Sequence, residues 1–273
     1  MKSRIGGNLL NAFCYLLAFL IIQFVMTLVG GTIWLMVKGE EFRTALEQAA
    51  NGSLANDGTA MAVITAAASV VTIIVFMLFR WSPFSRTYLR SRPWGVLAWV
   101  FILTFGTVIP SEWLLEQLNV EMSEPMQQLF EEIMKSPVGY IAIGLLAPLA
   151  EEMVFRGAIL RSLLRWKQNP WVGIAISALL FAVVHMNPAQ MPHAFLIGLL
   201  LGWMYWRTDS IVPGVVYHWV NNTVAYILYN IYPDPDLTLV EMFGSEQKVL
   251  MALGFSLLIF LPSLFQLNQR LAK

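Results

Sequence analysis

The sequence predicts an all-α, polytopic membrane bundle with about eight transmembrane helices. The first observation is composition: of 273 residues, 58% are hydrophobic and only 12% are charged, which is too apolar for a soluble domain. The second is a series of apolar runs close to the length that crosses a ~30 Å hydrocarbon core. The third is a regular alternation of basic and acidic loops between those runs.

The apolar runs justify the helices in chain order. The first is too long for a signal-peptide core and is expected to remain as a signal-anchor helix, with the lone Cys14 as a small apolar residue inside it. The fifth and sixth are short for a span. The eight runs cover residues 9–37, 60–81, 94–113, 138–160, 171–185, 193–206, 211–229 and 249–265.

Loop charges predict the orientation, because Lys and Arg accumulate on the cytoplasmic side. Alternate loops are basic and the loops between them are acidic, so both termini are predicted to be cytoplasmic. In a bacterium the expected location is the cell membrane. The basic positions are Lys2, Arg4, Arg80, Arg86, Arg90, Arg92, Arg161, Arg165, Lys167, Arg207, Arg270 and Lys273. The acidic positions include Glu40, Glu41, Glu47, Asp57, Glu112, Glu132, Asp234, Asp236, Glu241 and Glu246.

Four segments are predicted along the chain. Residues 1–120 carry no ionisable group deep in a span and are interpreted as scaffold helices. Residues 121–136 repeat apolar side chains at helical spacing, which predicts an amphipathic interfacial helix capped by Ser123. Its structural role is favoured over a role in gating substrate entry. Residues 137–230 are interpreted as the catalytic core, and residues 231–273 as an outer loop and a last transmembrane helix.

Two adjacent carboxylates and an arginine interrupt the fourth apolar run. Such groups are costly at bilayer depth and are usually functional. Glu152 and Arg156 are four residues apart on one helical face, whereas Glu151 is about 140° away from Arg156. Glu152 is therefore the natural ion-pair partner. Glu151 is left as the unpaired carboxylate, and burial disfavours the ionised form of such a group, which suits it to acid–base chemistry.

The later spans carry the other unusual residues. His185 follows Phe181 by one helical turn, and His218 and Asn222 are also one turn apart, so their N–H groups could together stabilise an oxyanion. The sixth run contains Phe195, Gly198 and Gly202, whose glycine spacing indicates close helix packing. His193, at the outer start of that run, is interpreted as interfacial and outside the site.

These residues, in this order, resemble the four motifs of the CPBP intramembrane proteases. That family includes type II CAAX prenyl endopeptidases, lysostaphin-resistance-protein-A-like proteins and bacteriocin self-immunity proteins. The motifs are Glu151-Glu152-x-x-x-Arg156, Phe181-x-x-x-His185, Phe195-x-x-Gly198-x-x-x-Gly202 and His218-x-x-x-Asn222. The match covers residues 138–229, and no motif position departs from the pattern.

The resemblance implies a membrane-embedded endopeptidase, a hydrolase of glutamate type. By carry-over, Glu151 and His185 activate a water, His218 and Asn222 form the oxyanion pocket, and Glu152 with Arg156 supports the glutamate helix. Phe181, Phe195, Gly198 and Gly202 serve helix packing. The implied substrate is a peptide or protein at the membrane, lipidated or not, with the bilayer as the second partner and no nucleic acid.

Several alternatives stay open. A zinc-dependent version would use Glu151, His185 and His218 as ligands. The metal-free version is favoured because the sequence has no H-E-x-x-H pair and Asn222 suits an oxyanion donor better than a metal ligand. A non-catalytic immunity or binding protein and a proton-coupled transporter using Glu151 are the alternatives from other classes. The basic loops also suggest that substrate enters from the cytoplasmic side.

Overall fold

The computed structural model describes residues 2–83, 85–120, 122–166, 168–234 and 237–271, without the side chains of residues 2–7 and 55. Lys167, Asp236 and Lys273, and the side chains of Lys2 and Arg4, lie outside what is described. The twelve helices of the described ranges are α1 Lys2–Val37, α2 Phe42–Ala50, α3 Gly58–Leu78, α4 Arg86–Arg90, α5 Trp94–Leu118, α6 Glu124–Lys135, α7 Pro137–Trp166, α8 Pro170–Val183, α9 Met191–Thr208, α10 Val212–Ile231, α11 Leu239–Phe243 and α12 Glu246–Arg270. No strand occurs in these ranges. The all-α prediction is confirmed.

Five of these helices are long and apolar enough to cross a membrane: α1, α3, α5, α7 and α12. The prediction of a multi-pass membrane protein is therefore confirmed. Helix α8 is apolar but has only 14 residues, and α9 and α10 do not reach the hydropathy of a span. These three helices carry the predicted fifth to seventh spans, so the number eight stays a prediction.

Side-chain caps start α3, α8, α11 and α12, each where the sequence carries a short polar residue. Asp57 Oδ1 accepts from Ala60 N at the start of α3, at 2.9 Å. Asn169 Oδ1 accepts from Trp171 N at the start of α8, at 3.0 Å. Ser123 occupies the predicted cap position of α6, but its side chain makes no capping hydrogen bond. The predicted position is confirmed and the predicted bond is wrong.

The first of two compact units contains Met1–Pro83 and Ser123–Ser162. Helix α3 packs there against α6 and α7, and Ile133 and Met134 of the amphipathic α6 are buried. Asp57 joins the start of α3 to the end of α1, because it accepts from Lys38 Nζ at 2.6 Å and from Trp34 Nε1 at 3.1 Å. Burial raises the pKa of Asp57, but these bonds together outweigh it and hold that pKa below its ordinary value.

The second unit contains Phe84–Met122 and Leu163–Lys273. Helices α5 and α12 pack antiparallel along their length: a Cβ on Gly106 would lie 2.7 Å from the backbone of Phe260. Helices α8 and α9 form the other close pair. Each unit combines two separate stretches of the chain, so the units do not test the four consecutive segments predicted from the sequence, which stay a prediction.

Candidate active site

Helix α7 carries both glutamates and is not a uniform α-helix. Its segments Tyr140–Leu146 and Met153–Leu160 are π-helical, and between them Ala147–Glu152 is α-helical. π-helical turns are rare and are frequently found at functional sites. The two glutamates therefore occupy the last α-turn before the helix widens, a feature that the periodicity of the sequence does not indicate.

A buried ion pair joins the α-helical segment of α7 to the π-helical segment that comes after it. Arg156 Nη1 donates to Glu152 Oε1 at 2.8 Å, and the two side chains are 1% and 0% exposed. The ion pair predicted from the sequence is present. All residues of Met153–Leu160 are buried around it, with Phe155 in an edge contact to Phe19. Pairing compensates two charges that would each be expensive to bury alone.

Glu151 is half-buried, unlike its neighbour. Arg156 interacts electrostatically with Glu151 as well as with Glu152. The interpretation of Glu151 as an unpaired carboxylate is therefore wrong in one respect: it lies in the field of the same guanidinium. The estimate of about 140° assumed α-helical geometry, which ends at this residue pair. Glu151, Glu152 and Arg156 are called the glutamate group below.

His185 lies in a turn after the end of α8, although the sequence predicts that the helix includes it. The helix ends at Val183, and His185 N donates to Ala182 O at 3.2 Å, which closes a shorter turn. Its Nδ1 is 2.7 Å from Phe181 O. Since a carbonyl oxygen can only accept, Nδ1 carries the proton of this bond in the neutral ring. Nε2 is then the nitrogen with the lone pair, as a proton acceptor requires.

Phe181 contacts both histidines of the motifs. Its ring is edge-on to His185 at 4.9 Å and edge-on to His218 at 5.7 Å between centroids. The phenylalanine is 2% exposed and His218 is 6% exposed. Phe181, expected only to pack helices, thus lies between the imidazoles of His185 and His218 and restricts both rings.

Asn222 lies one turn after His218 within α10, as predicted. Its Oδ1 accepts from Asn221 Nδ2 at 3.3 Å. An amide whose oxygen is engaged in this way directs its NH2 group to the other side, where it can donate. Phe181, His185, His218 and Asn222 are called the histidine group below.

The glycines of the third motif face α8 at close range. A Cβ on Gly198 would lie 2.9 Å from the Cα and Cβ of Ala178. A Cβ on Gly202 would lie 2.9 Å from Ile174 Cγ2. The predicted close approach of helices is present and joins α9 to the helix that precedes His185. Phe195, from the same motif, is half-buried.

His193 is the residue that sequence reasoning misplaced. It was expected at the interface and outside the site, yet it interacts electrostatically with both His218 and His185. Its Nδ1 is buried and makes no hydrogen bond with any described residue. The sequence around His193, next to Pro192 at the start of α9, does not indicate that it lies near the other two histidines. That proximity depends on how α9 packs on α8.

A zinc site requires several donor side chains arranged around one point. In the described part of the chain, no group of three or more His, Cys, Asp or Glu side chains is arranged to hold a metal ion. The preference for the metal-free version over the zinc-dependent version stays a prediction.

Comparison with known proteins gives a family for the region that contains both groups. Residues 134–224 match the family model described as type II CAAX prenyl endopeptidase Rce1-like. The resemblance predicted from the four motifs is confirmed over this region. No solved structure matches.

Two curated proteins are similar to this chain. An uncharacterized 24.3 kDa protein of Escherichia coli is 29% identical over 134 residues, which is 47% of this chain and 57% of that protein. The membrane-embedded CAAX protease MroQ of Staphylococcus aureus (strain USA300) is 25% identical over 149 residues, which is 52% of this chain and 60% of that protein. The chain thus spans less than two thirds of the length of either relative.

Proposed function

We propose that this chain is a membrane-embedded endopeptidase that hydrolyses a peptide bond of a membrane-associated protein or peptide. The observation that supports it most is that the glutamate group and the histidine group both fall inside the one region, residues 134–224, that matches the CAAX endopeptidase family model. The similar protein MroQ is itself named a CAAX protease. The proposed substrate is a protein or peptide at the membrane, and whether it must be lipidated is decided by the experiment below.

In the proposed reaction, Glu151 and His185 activate the attacking water. One of them removes a proton from the water while its oxygen bonds to the scissile carbonyl carbon, and the carbonyl oxygen becomes an oxyanion. The bond to the Phe181 carbonyl supports this role, because Nδ1 carries the proton of that bond and Nε2 is left as the nitrogen that can accept. The same proton is then delivered to the leaving amine as the C–N bond breaks.

His218 and Asn222 are proposed to donate hydrogen bonds to that oxyanion. The orientation of Asn222, with Oδ1 engaged by Asn221, supports a donating NH2 group. A single oxyanion donor contributes about 10²–10³ in rate in other hydrolases. Glu152 and Arg156 are proposed to hold α7 in place, which agrees with their complete burial.

Cleavage of a membrane-associated peptide by the purified protein in lipid tests the proposal. We expect Glu151→Gln, His185→Ala and His218→Ala each to lower the rate about 100-fold or more. Glu47→Gln is the matched control, because Glu47 is an exposed glutamate of the first unit. We expect this variant to keep full activity. Full activity of Glu151→Gln would overturn the mechanism.

Two further arms separate the alternatives. A prenylated and an unmodified version of the same peptide show whether lipidation is required. Loss of cleavage with a chelator and recovery with zinc would favour the zinc-dependent version. Proton-coupled transport that is lost in Glu151→Gln, without any cleavage by the wild type, would instead support a transporter.

A further inference from the structure

A cavity of about 340 Å³ lies in the second unit, away from the histidine group. It is formed where the start of α5 meets the ends of α9 and α12, and its lining includes Tyr88, Arg207 and Arg270. Helices α5 and α12 are both long and apolar enough to span a membrane. A cavity at the ends of two such helices lies at the boundary between hydrocarbon and water.

The two arginines give this cavity a positive charge. Arg207 donates to three neutral oxygens: Leu271 O at 2.8 Å, Asn268 Oδ1 at 3.1 Å and Asn268 O at 3.1 Å. Arg270 Nη1 lies 3.4 Å from the position of a Cβ on Gly95. Across the ranges that the structure describes, neither guanidinium forms an ion pair with a carboxylate. The positive charge of the two guanidinium groups is thus not neutralised by any carboxylate of the described ranges.

Tyr88 adds a hydrogen-bond donor. Its hydroxyl is buried and has no hydrogen-bond partner among the described residues. Burial raises the pKa of Tyr88 to about 12, so the hydroxyl keeps its proton at neutral pH. A buried hydroxyl without a partner is costly, and an anion accepting its proton would remove that cost.

An apolar groove of about 590 Å³ runs along α9 and α12 in the same unit. Leu196, Leu200, Leu261 and Phe265 line it, and it reaches Asn268, the residue that accepts from Arg207. Trp171 and Trp203 also line the groove, and tryptophan is typical of the membrane interface. The groove therefore follows a candidate span and ends beside the charged cavity.

We propose that the cavity and the groove together bind one anionic phospholipid. Its phosphate accepts from Arg207, Arg270 and Tyr88, and one acyl chain lies along the groove between α9 and α12. Charge complementarity favours an anionic headgroup, because planar guanidinium groups suit phosphate oxygens and the described residues offer no competing carboxylate. The apolar groove next to the cavity favours a lipid over a free anion.

Native mass spectrometry of the detergent-purified full chain tests the proposal. The probes are dioleoylphosphatidylglycerol and dioleoylphosphatidylcholine, which have the same chains and differ in headgroup charge. We expect Arg270→Gln to weaken phosphatidylglycerol binding about tenfold and Tyr88→Phe about fivefold. Among the described residues, neither Arg270 nor Tyr88 makes a side-chain hydrogen bond that holds the ends of the helices, as Arg207 does.

Arg90→Gln is the matched control, since Arg90 is an exposed arginine near Tyr88 that does not line the cavity. We expect it to change binding less than twofold. Leu261→Trp, at an exposed position in the groove, should weaken binding of the dioleoyl lipid by obstructing the chain.

The proposal is overturned if Arg90→Gln weakens binding as much as Arg270→Gln, or if phosphatidylcholine binds as well as phosphatidylglycerol. Displacement of the lipid by millimolar inorganic phosphate would overturn it in favour of a free-anion site.

Discussion

The glutamate group and the histidine group are held in different ways. Glu152 and Arg156 lie inside a helix, 0% and 1% exposed, and each satisfies the charge of the other. His185 lies beyond the end of its helix, where a backbone bond to Ala182 O, a side-chain bond to Phe181 O and an edge contact with the Phe181 ring hold it. The next residue, Met186, has φ +51° and is 77% exposed. A substitution in the Glu152–Arg156 pair should therefore change mainly stability, and one that removes a contact of His185 mainly the position of its ring.

The largest effect is expected at the buried ion pair. Arg156→Met leaves the Glu152 carboxylate without its guanidinium, and breaking a buried pair costs about 3–5 kcal/mol. Thermal unfolding in detergent measures the loss. The double variant Glu152→Met/Arg156→Met is the control, because replacing both charges with apolar groups recovers much of the stability. A double variant as unstable as Arg156→Met would show that the pair is not what stabilises α7.

The packing of α8 on α9 gives the next effect. A Cβ on Gly198 would clash with the backbone of Ala178, so Gly198→Ala should destabilise by about 1–3 kcal/mol and displace the helix that leads to His185. Gly254→Ala is the matched change in α12, where nothing lies within 4 Å, and it should not destabilise. Unfolding and peptide cleavage are both measured, and equal stability of the two variants would contradict the prediction.

Phe181→Leu tests whether the ring positions the histidines. It should cost about 1–2 kcal/mol in stability, since the edge contacts to His185 and His218 are lost. Cleavage should fall by more than the lost stability explains. Phe101→Leu removes a similar edge contact, to Phe105, away from any motif residue, and should leave cleavage unchanged.

The smallest effect concerns the turn after His185. A non-glycine residue in the left-handed region costs about 1 kcal/mol, so Met186→Gly should raise stability slightly. Because glycine also loosens the turn, cleavage should fall although the protein is more stable. Asp209→Gly, at another residue with φ +51°, is the comparison, and its gain should be smaller because Asp tolerates this conformation. Unchanged cleavage in Met186→Gly would show that the turn does not position His185.

Local patterns in the sequence predict what depends on short spacing. Four residues between Glu152 and Arg156 suffice for an ion pair in the helix, and the spacing of Gly198 and Gly202 suffices for a close helix contact. The motif order also predicts the family of residues 134–224. These features need only helical geometry and side-chain chemistry.

Features that depend on long-range packing could not be predicted. The end of α8 at Val183, two residues before His185, leaves the apolar pattern unchanged, and so does the π-helical geometry of α7. The electrostatic interaction of His193 with His218 and His185 joins residues of different helices. The position of the Phe181 ring between the imidazoles of His185 and His218 likewise depends on how α8 packs against α10.

The π-helical segments of α7 make the spacing of its motif sensitive to chain length. Each π turn holds one residue more than an α turn between hydrogen-bonded partners. Deleting one residue within Met153–Leu160 would remove the extra residue of a π turn and let this part of the helix return to α geometry, so that the residues directly beyond it keep nearly their present phase. Deleting a second residue leaves no extra residue to remove and turns the helix beyond it by about 100° about its own axis. The distance in sequence from Glu152 to the start of α8 is thus a structural constraint in its own right.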